Sequence, residues 1–176
     1  MKSVALVAAG CVLGLSGCAT RLQTAEDQKP IVVGAAASKK IVVDFDGGKV
    51  ATDADSWSSL KETWQEGCTE EAKNAGVALS FQDGSPHSTG EDGTLVAIYV
   101  NDFHYVSTGA RIGLGIMTGN AFIDAKARFM DLKNGAVWGE RPYSTASSAW
   151  QGVFSAMTPK QTQTICKEML AVVGGK

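Results

Sequence analysis

The chain has only two histidines and four cysteines in 176 residues, and its 16 basic and 18 acidic side chains nearly cancel, for a formal net charge of −2. Each shortage closes off a class of function. A zinc site needs three or four ligands at short spacings, whereas His87 stands in a Gly/Ser/Pro stretch and His104 on a candidate strand. No metal site is expected. No cluster of Lys and Arg supplies the electrostatic footprint of a nucleic-acid binder, so nucleic acid is not an expected partner. A Gly-x-Ser-x-Gly elbow is also missing, and Asp102 and His104, on one face of a strand, read as a solvated or hydrogen-bonded pair rather than a catalytic dyad. Gly113, Gly115 and Gly119 fail as a dinucleotide fingerprint because a strand, not a helix, follows them. Asp44-Phe45-Asp46-Gly47-Gly48 has two carboxylates beside a turn but lacks the later ligands of a calcium loop. A turn accounts for it better. No motif implies a cofactor, and the chain is not read as an enzyme.

The N-terminus is informative in what it has. Lys2 precedes an apolar stretch over residues 4–15, interrupted only by Gly10 and Gly14, which is the pattern of a secretory signal. Twelve residues rise about 18 Å as a helix, well short of the ~30 Å hydrocarbon core. The stretch is too short for a permanent span. Leu15-Ser16-Gly17-Cys18 then resembles the lipobox of bacterial lipoproteins: small residues before the cysteine admit the peptidase, and only the Cys18 thiol can form a thioether to diacylglycerol. That resemblance implies cleavage before Cys18 and a lipid anchor on it, and Ala19 rather than Asp after the cysteine implies sorting to the outer membrane, facing the periplasm. Residues 1–17 are thus expected to be a signal peptide. The remaining ~160 residues are one domain by length and can bury roughly 68% of their unfolded surface.

Cys11 leaves with the signal and Cys18 carries lipid, so Cys68 and Cys166 remain. In an oxidising compartment this even remainder reads as a disulfide, the alternative being two buried thiols packed as small apolar groups.

Residues 18–39, Ala-rich and polar around Ile31-Val32-Val33, read as a flexible tether of about 25 Å r.m.s. span, with a possible short edge strand at 31–33. Residues 40–176 are the domain. Lys40 to Phe45 reads as a β-branched strand. From a cap at Asp55 or Ser56, the residues Trp57, Leu60, Trp64, Cys68, Ala72 and Ala75 recur every three or four positions, which predicts a helix stopped by Gly76. Residues 77–81 alternate as a half-buried strand, 82–93 are loop, and 94–106 are a long strand. Residues 121–131 alternate cleanly, Ile123, Ala125, Ala127 and Phe129 opposing Asp124, Lys126 and Arg128. Asn134-Gly135 signals a hairpin into a partner strand over 136–143, where Pro142 indicates an edge or an end. Thr158-Pro159-Lys160-Gln161 resembles a capping box opening a last helix. The reading is α+β: an antiparallel-rich sheet of about five strands with two helices packed on one face.

At Ile41-Val42-Val43-Asp44-Phe45, at Gly109-Ala110-Arg111-Ile112-Gly113-Leu114-Gly115 and at Phe129-Met130-Asp131-Leu132-Lys133-Asn134-Gly135 the chain resembles a family of small bacterial lipoproteins classed as a domain of unknown function. The resemblance covers most of residues 40–173 and implies no activity. The element order is also similar, at the level of fold alone, to the penicillin-binding-protein activator lipoproteins and the curli secretion lipoprotein.

These features point to a non-enzymatic accessory module, held to the membrane by lipid and binding an envelope protein or polymer. An oligomeric secretion or pore component, or a small hydrolase using Asp102 and His104, is the alternative. The expected working surface is residues 107–119, where Arg111, Ile112, Leu114, Ile116 and Met117 are interleaved with glycines that make any one conformation costly. The opposite reading of the same residues is a strand extension buried in the core.

Overall fold

The computed structural model describes the backbone of residues 21–23, and residues 29–107, 109, 113, 119–146 and 157–175. Cys18, Arg111, Ile112, Leu114, Ile116, Met117 and Trp150 lie outside the described residues. In chain order the described strands are β1 (Arg21–Gln23), β2 (Lys40–Gly47), β3 (Ala78–Gln82), β4 (Thr94–His104), β5 (Phe122–Asp131) and β6 (Val137–Ala146). The described α-helices are α1 (Lys49–Thr52), α2 (Trp57–Ala75) and α3 (Met157–Val173). The strands form one sheet in the order β1-β6-β5-β4-β2-β3.

The sheet is mixed. β4, β5 and β6 pair antiparallel in sequence order, as a meander does, and β1 adds three residues antiparallel to β6. β2, by contrast, lies between β3 and β4 and runs parallel to both. A parallel pair needs a crossover connection, which α2 provides between β2 and β3. The second connection, residues 83–93, has to return the length of a strand and pass over β2 to start β4. Eleven extended residues reach roughly 36 Å, and one face of the sheet is already occupied by helices. The connection therefore runs over the other.

The helix-covered face follows from alternation. Ile41 and Val43 of β2, Val96, Ile98 and Val100 of β4, and Ile123, Ala125, Ala127 and Phe129 of β5 point into one core with Leu60, Trp64 and Cys68 of α2 and Ile165, Cys166 and Met169 of α3. Trp64 is fully buried and packs tilted on Phe45 at 5.5 Å between ring centroids. The two helices are covalently joined: Cys68 and Cys166 are disulfide-bonded with Cα atoms 5.0 Å apart. Gly67 allows that approach, since a Cβ there would lie 3.3 Å from the backbone of Gln163. α2 ends at Gly76, whose φ of 68° is the left-handed C-terminal stop.

Several local expectations are met differently. The hairpin turn forms where Asn134-Gly135 stands, with Asn134 Oδ1 accepting from the Ala136 N–H at 2.8 Å and Gly135 at φ 75°. At the start of α2, Ser56 makes no side-chain cap bond. The Thr158/Gln161 pair does not close on itself as a capping box. Thr158 Oγ1 accepts from the Val106 N–H at 2.9 Å, and Gln161 Nε2 donates to the Ala121 carbonyl at 3.0 Å, so both tie α3 to the chain between β4 and β5. The stretch read as a tether is partly built into the domain: β1 pairs with β6, and Ile31, 8% exposed, packs against Gly139. Residues 31–33 are irregular rather than a strand.

Candidate functional site

The face of the sheet opposite α2 and α3 carries the site. Alternation places Val42, Asp44 and Asp46 of β2 there, beside Leu95, Ala97 and Tyr99 of β4 and Lys126, Arg128 and Met130 of β5, as the strand register requires. One end is apolar: Val42, Leu95, Met130 and Leu132 form a small second core. The 83–93 connection closes over it. Thr89 donates its N–H to the Leu132 carbonyl at 2.9 Å, and Leu132 returns its own to Gly93 at 3.0 Å. Salt bridges Lys40–Glu91 and Lys133–Asp92 lie along its edge.

Toward the other end the face opens into a cavity of about 320 Å³, lined by Asp44, Asp46, Pro86, Tyr99, Lys126 and Arg128 among others. This volume is at the lower end of small-molecule sites, roughly 300–1,000 Å³. Its two cations already have partners. Arg128 Nε donates to Glu140 Oε1 at 2.6 Å, and Lys126 Nζ lies 5.3 Å from the centre of the Tyr99 ring, a cation–π separation. Asp46 Oδ1 accepts from the Gly47 N–H at 2.7 Å.

Asp44 has no such partner. It is 0% exposed, and among the described residues neither carboxylate oxygen meets a donor. Buried polar groups are as a rule hydrogen-bonded, so this residue stands out. Its carboxyl is pushed up to about 6, first by burial and then by the negative charges of Asp46 and Asp83, with His87 pulling the other way. The neighbouring Gln82, its register partner on β3, has a buried Nε2 that also lacks an acceptor. Asp44 lies within the strand, as the β-branched run from Lys40 to Phe45 predicts, but the strand ends two residues later than that run. β2 continues through it to Gly47, and Asp46 alone stands at the exposed end.

Asp102 and His104 each bond to a different backbone group. A register shift falls between Val100 and Asp102. Asp102 Oδ1 accepts from the Phe103 N–H at 2.7 Å, and His104 Nδ1 donates to the Asn120 carbonyl at the same distance. Each is used locally. Among the described residues no three His, Cys, Asp or Glu side chains converge as metal ligands, and no helix is long and apolar enough to cross a membrane.

No protein-family model and no curated protein matches the chain. Solved structures resemble it at low identity. The PelC dodecamer from Paraburkholderia phytofirmans is 12% identical, with a TM-score of 0.50 over 88% of this chain and 97% of that one. Protein XCC0632 from Xanthomonas campestris, of the family-model DUF330, is 12% identical with a TM-score of 0.47 over 84% of this chain and 95% of that one. At such identities the likeness to PelC is one of fold, an α+β domain spanning nearly the whole of that chain.

Proposed function

We propose that this protein is a non-enzymatic binding module, an accessory to some assembly of the bacterial envelope, anchored by lipid on Cys18 at the periplasmic face of the outer membrane. The observation that carries the reading is the Cys68–Cys166 bridge. Structural disulfides belong to oxidising compartments, and a bridge in the domain agrees with an export signal and lipobox at residues 1–18. The binding surface is the sheet face opposite α2 and α3, where a formed cavity and a buried acceptor without a donor among the described residues occur together. Metabolic labelling with an alkyne fatty acid should mark the wild type, in the outer-membrane fraction, and not Cys18→Ala. Label retained by that variant would remove the anchor from the proposal.

Residues 107–119 provide a second surface by sequence. Ile116→Ser together with Met117→Ser is expected to abolish crosslinking to a partner in cells while leaving Tm nearly unchanged. A loss of several kcal/mol instead, as for buried apolar groups, would make these residues core.

A multi-copy form of the same module is the second reading. PelC, of like fold, is a dodecamer, and β3 ends the sheet with the sequence Ala-Leu-Ser-Phe-Gln, which has neither charge nor proline to block pairing. Native mass spectrometry of the lipoprotein decides it: a ring mass supports assembly, and monomer alone at micromolar concentration excludes it.

A further inference from the structure

The sheet-face cavity is unbalanced in a way that specifies its occupant. Its positive groups are engaged, Arg128 with Glu140 and Lys126 with the face of Tyr99. Of its negative groups, Glu140 is taken by Arg128 and Asp46 accepts from the Gly47 N–H, but Asp44 is not engaged. Asp44 offers two carboxylate oxygens, enclosed and unpartnered, and Asp46 and Asp83 add negative potential at the same carboxyl. A group that enters must bring hydrogen-bond donors, and the field favours donors that carry positive charge.

Metal ions do not fit, because among the described residues no three ligating side chains converge. Anions are opposed by three carboxylates. Tyr99 is already used as a platform for an alkylammonium group, that of Lys126, which shows that the ring face is turned for such contact. Ala97, the β4 partner of Asp44, leaves room beside it that a larger side chain would fill. The first half of the 83–93 connection borders the cavity through Pro86. Residues 83–88 are all exposed, and the bonds that fasten the connection to the hairpin start only at Thr89.

We propose that this cavity recognises an organic cation, an alkylammonium or alkylguanidinium group whose N–H bonds go to Asp44 and whose carbon chain lies along Ala97 and Tyr99. The proposal rests on the reading of this face as a binding surface and names the chemistry it binds. The cation is either a free small amine or a Lys or Arg side chain presented on a partner's surface. Both use the same contacts.

Binding should depend on pH. Protonation of Asp44 removes its charge, so affinity should fall as the pH drops through about 6. The other charged or titratable groups facing it are Asp46 of β2, Asp83 and His87 of the connection, Tyr99 of β4, Lys126 and Arg128 of β5 and Glu140 of β6. Of these His87 acts electrostatically on the Asp44 carboxyl, in the opposite sense to Asp46 and Asp83. Retention of the pH response in His87→Gln assigns it to Asp44.

The test is calorimetry on the whole chain in nonionic detergent, with butylammonium, butylguanidinium and, as the anionic control, butyrate. A blocked Arg-containing tripeptide and a blocked Lys-containing one form the second arm. The two cations should bind and butyrate should not. Asp44→Asn, of the same shape without the charge, should weaken binding at least tenfold without lowering Tm, and Tyr99→Leu should weaken it severalfold. Tighter binding of the tripeptides than of the free amines points to a partner side chain, and the reverse to a free amine. The inference is overturned if neither cation binds the wild type at millimolar concentration, as when the Gln82 amide simply closes on Asp44, or if Asp44→Asn binds equally well. Labelling of Cys18 and crosslinking in cells are unaffected by either result, so failure here leaves the anchored-module reading standing.

Discussion

The two faces of the sheet are built from the same strands and differ in nearly every other respect. On the helix side the inward residues of β2, β4 and β5 are aliphatic or aromatic and almost all fully buried, and a disulfide closes the layer above them. On the other side the same strands present Asp44, Asp46, Tyr99, Lys126 and Arg128, with the 83–93 connection over them. The contrast separates stability from recognition. Apolar burial on one face secures the domain at roughly 25 cal/mol per Å², and that surplus lets the other face keep a buried carboxylate that no folding argument requires.

The largest break in this contrast should come from the disulfide. Its Cys residues are 98 apart in sequence, and closing a loop of about 100 residues is worth up to ~4.7 kcal/mol in the chain-entropy model. Cys68→Ser with Cys166→Ser should therefore lower Tm markedly, measured by calorimetry with no reductant. An unchanged Tm would show that packing alone holds α2 to α3. Next in size is Ile98→Ala on the helix face, expected to cost about 2–5 kcal/mol, against Lys126→Ala on the open face of the neighbouring strand, expected to stay within about 0.5 kcal/mol. Urea titration of the pair measures the asymmetry of the faces directly. Equal costs would mean that the open face is covered by more than the 83–93 connection.

The pH dependence of stability isolates Asp44. Its carboxyl is raised from 3.8 to about 6 on folding, burial being the main cause. The folded protein therefore holds the proton more tightly than the unfolded chain does. The sign follows: this group's contribution is fully present below pH 3.8 and is lost as the pH rises through about 6. Wild-type Tm should fall across that window relative to Asp44→Asn, which should show a flatter profile. Parallel profiles would mean that Asp44 finds a donor in the folded protein.

Much of this architecture is legible in residue patterns because the patterns are local. The 3.6-residue stripe from Leu60 to Ala72, the alternation of residues 121–131 and the Asn-Gly turn each report forces acting within one element, and each forms as read. Elimination leaves Cys68 and Cys166 as the pair available for a bridge, and the seam between α2 and α3 joins them. What was not legible is non-local. Asp44 sits in an apolar-Asp-Phe context that reads equally well as a strand end. Its burial arises because β3 and β4 flank β2 in parallel, which forces residues 83–93 across it. Thr158 and Gln161 similarly have the spacing of a capping box, yet their partners lie 52 and 40 residues away. The signal in the sequence for Asp44 is its place in register with Val42, two residues away on an apolar strand.

The smallest expected effect concerns the rim of the cavity. Arg128 and Glu140 meet at 2.6 Å across β5 and β6, with their side chains 50% and 45% exposed. Exposed pairs contribute about 0–1 kcal/mol, because solvent screens the attraction and two long side chains lose freedom. Glu140→Gln should therefore change stability by no more than about 0.5 kcal/mol, measured by urea titration at low ionic strength, where a surface pair counts most. Its consequence for recognition should exceed its consequence for folding. Freed of its carboxylate, Arg128 is the nearest unpaired cation to the cavity and can turn its guanidinium toward Asp44, filling the place proposed for a ligand. Affinity for butylguanidinium should then fall although the fold is unchanged. An affinity equal to wild type, with stability also equal, would show that the Arg128–Glu140 pair is ornamental and that the cavity's charge balance is set by β2 alone.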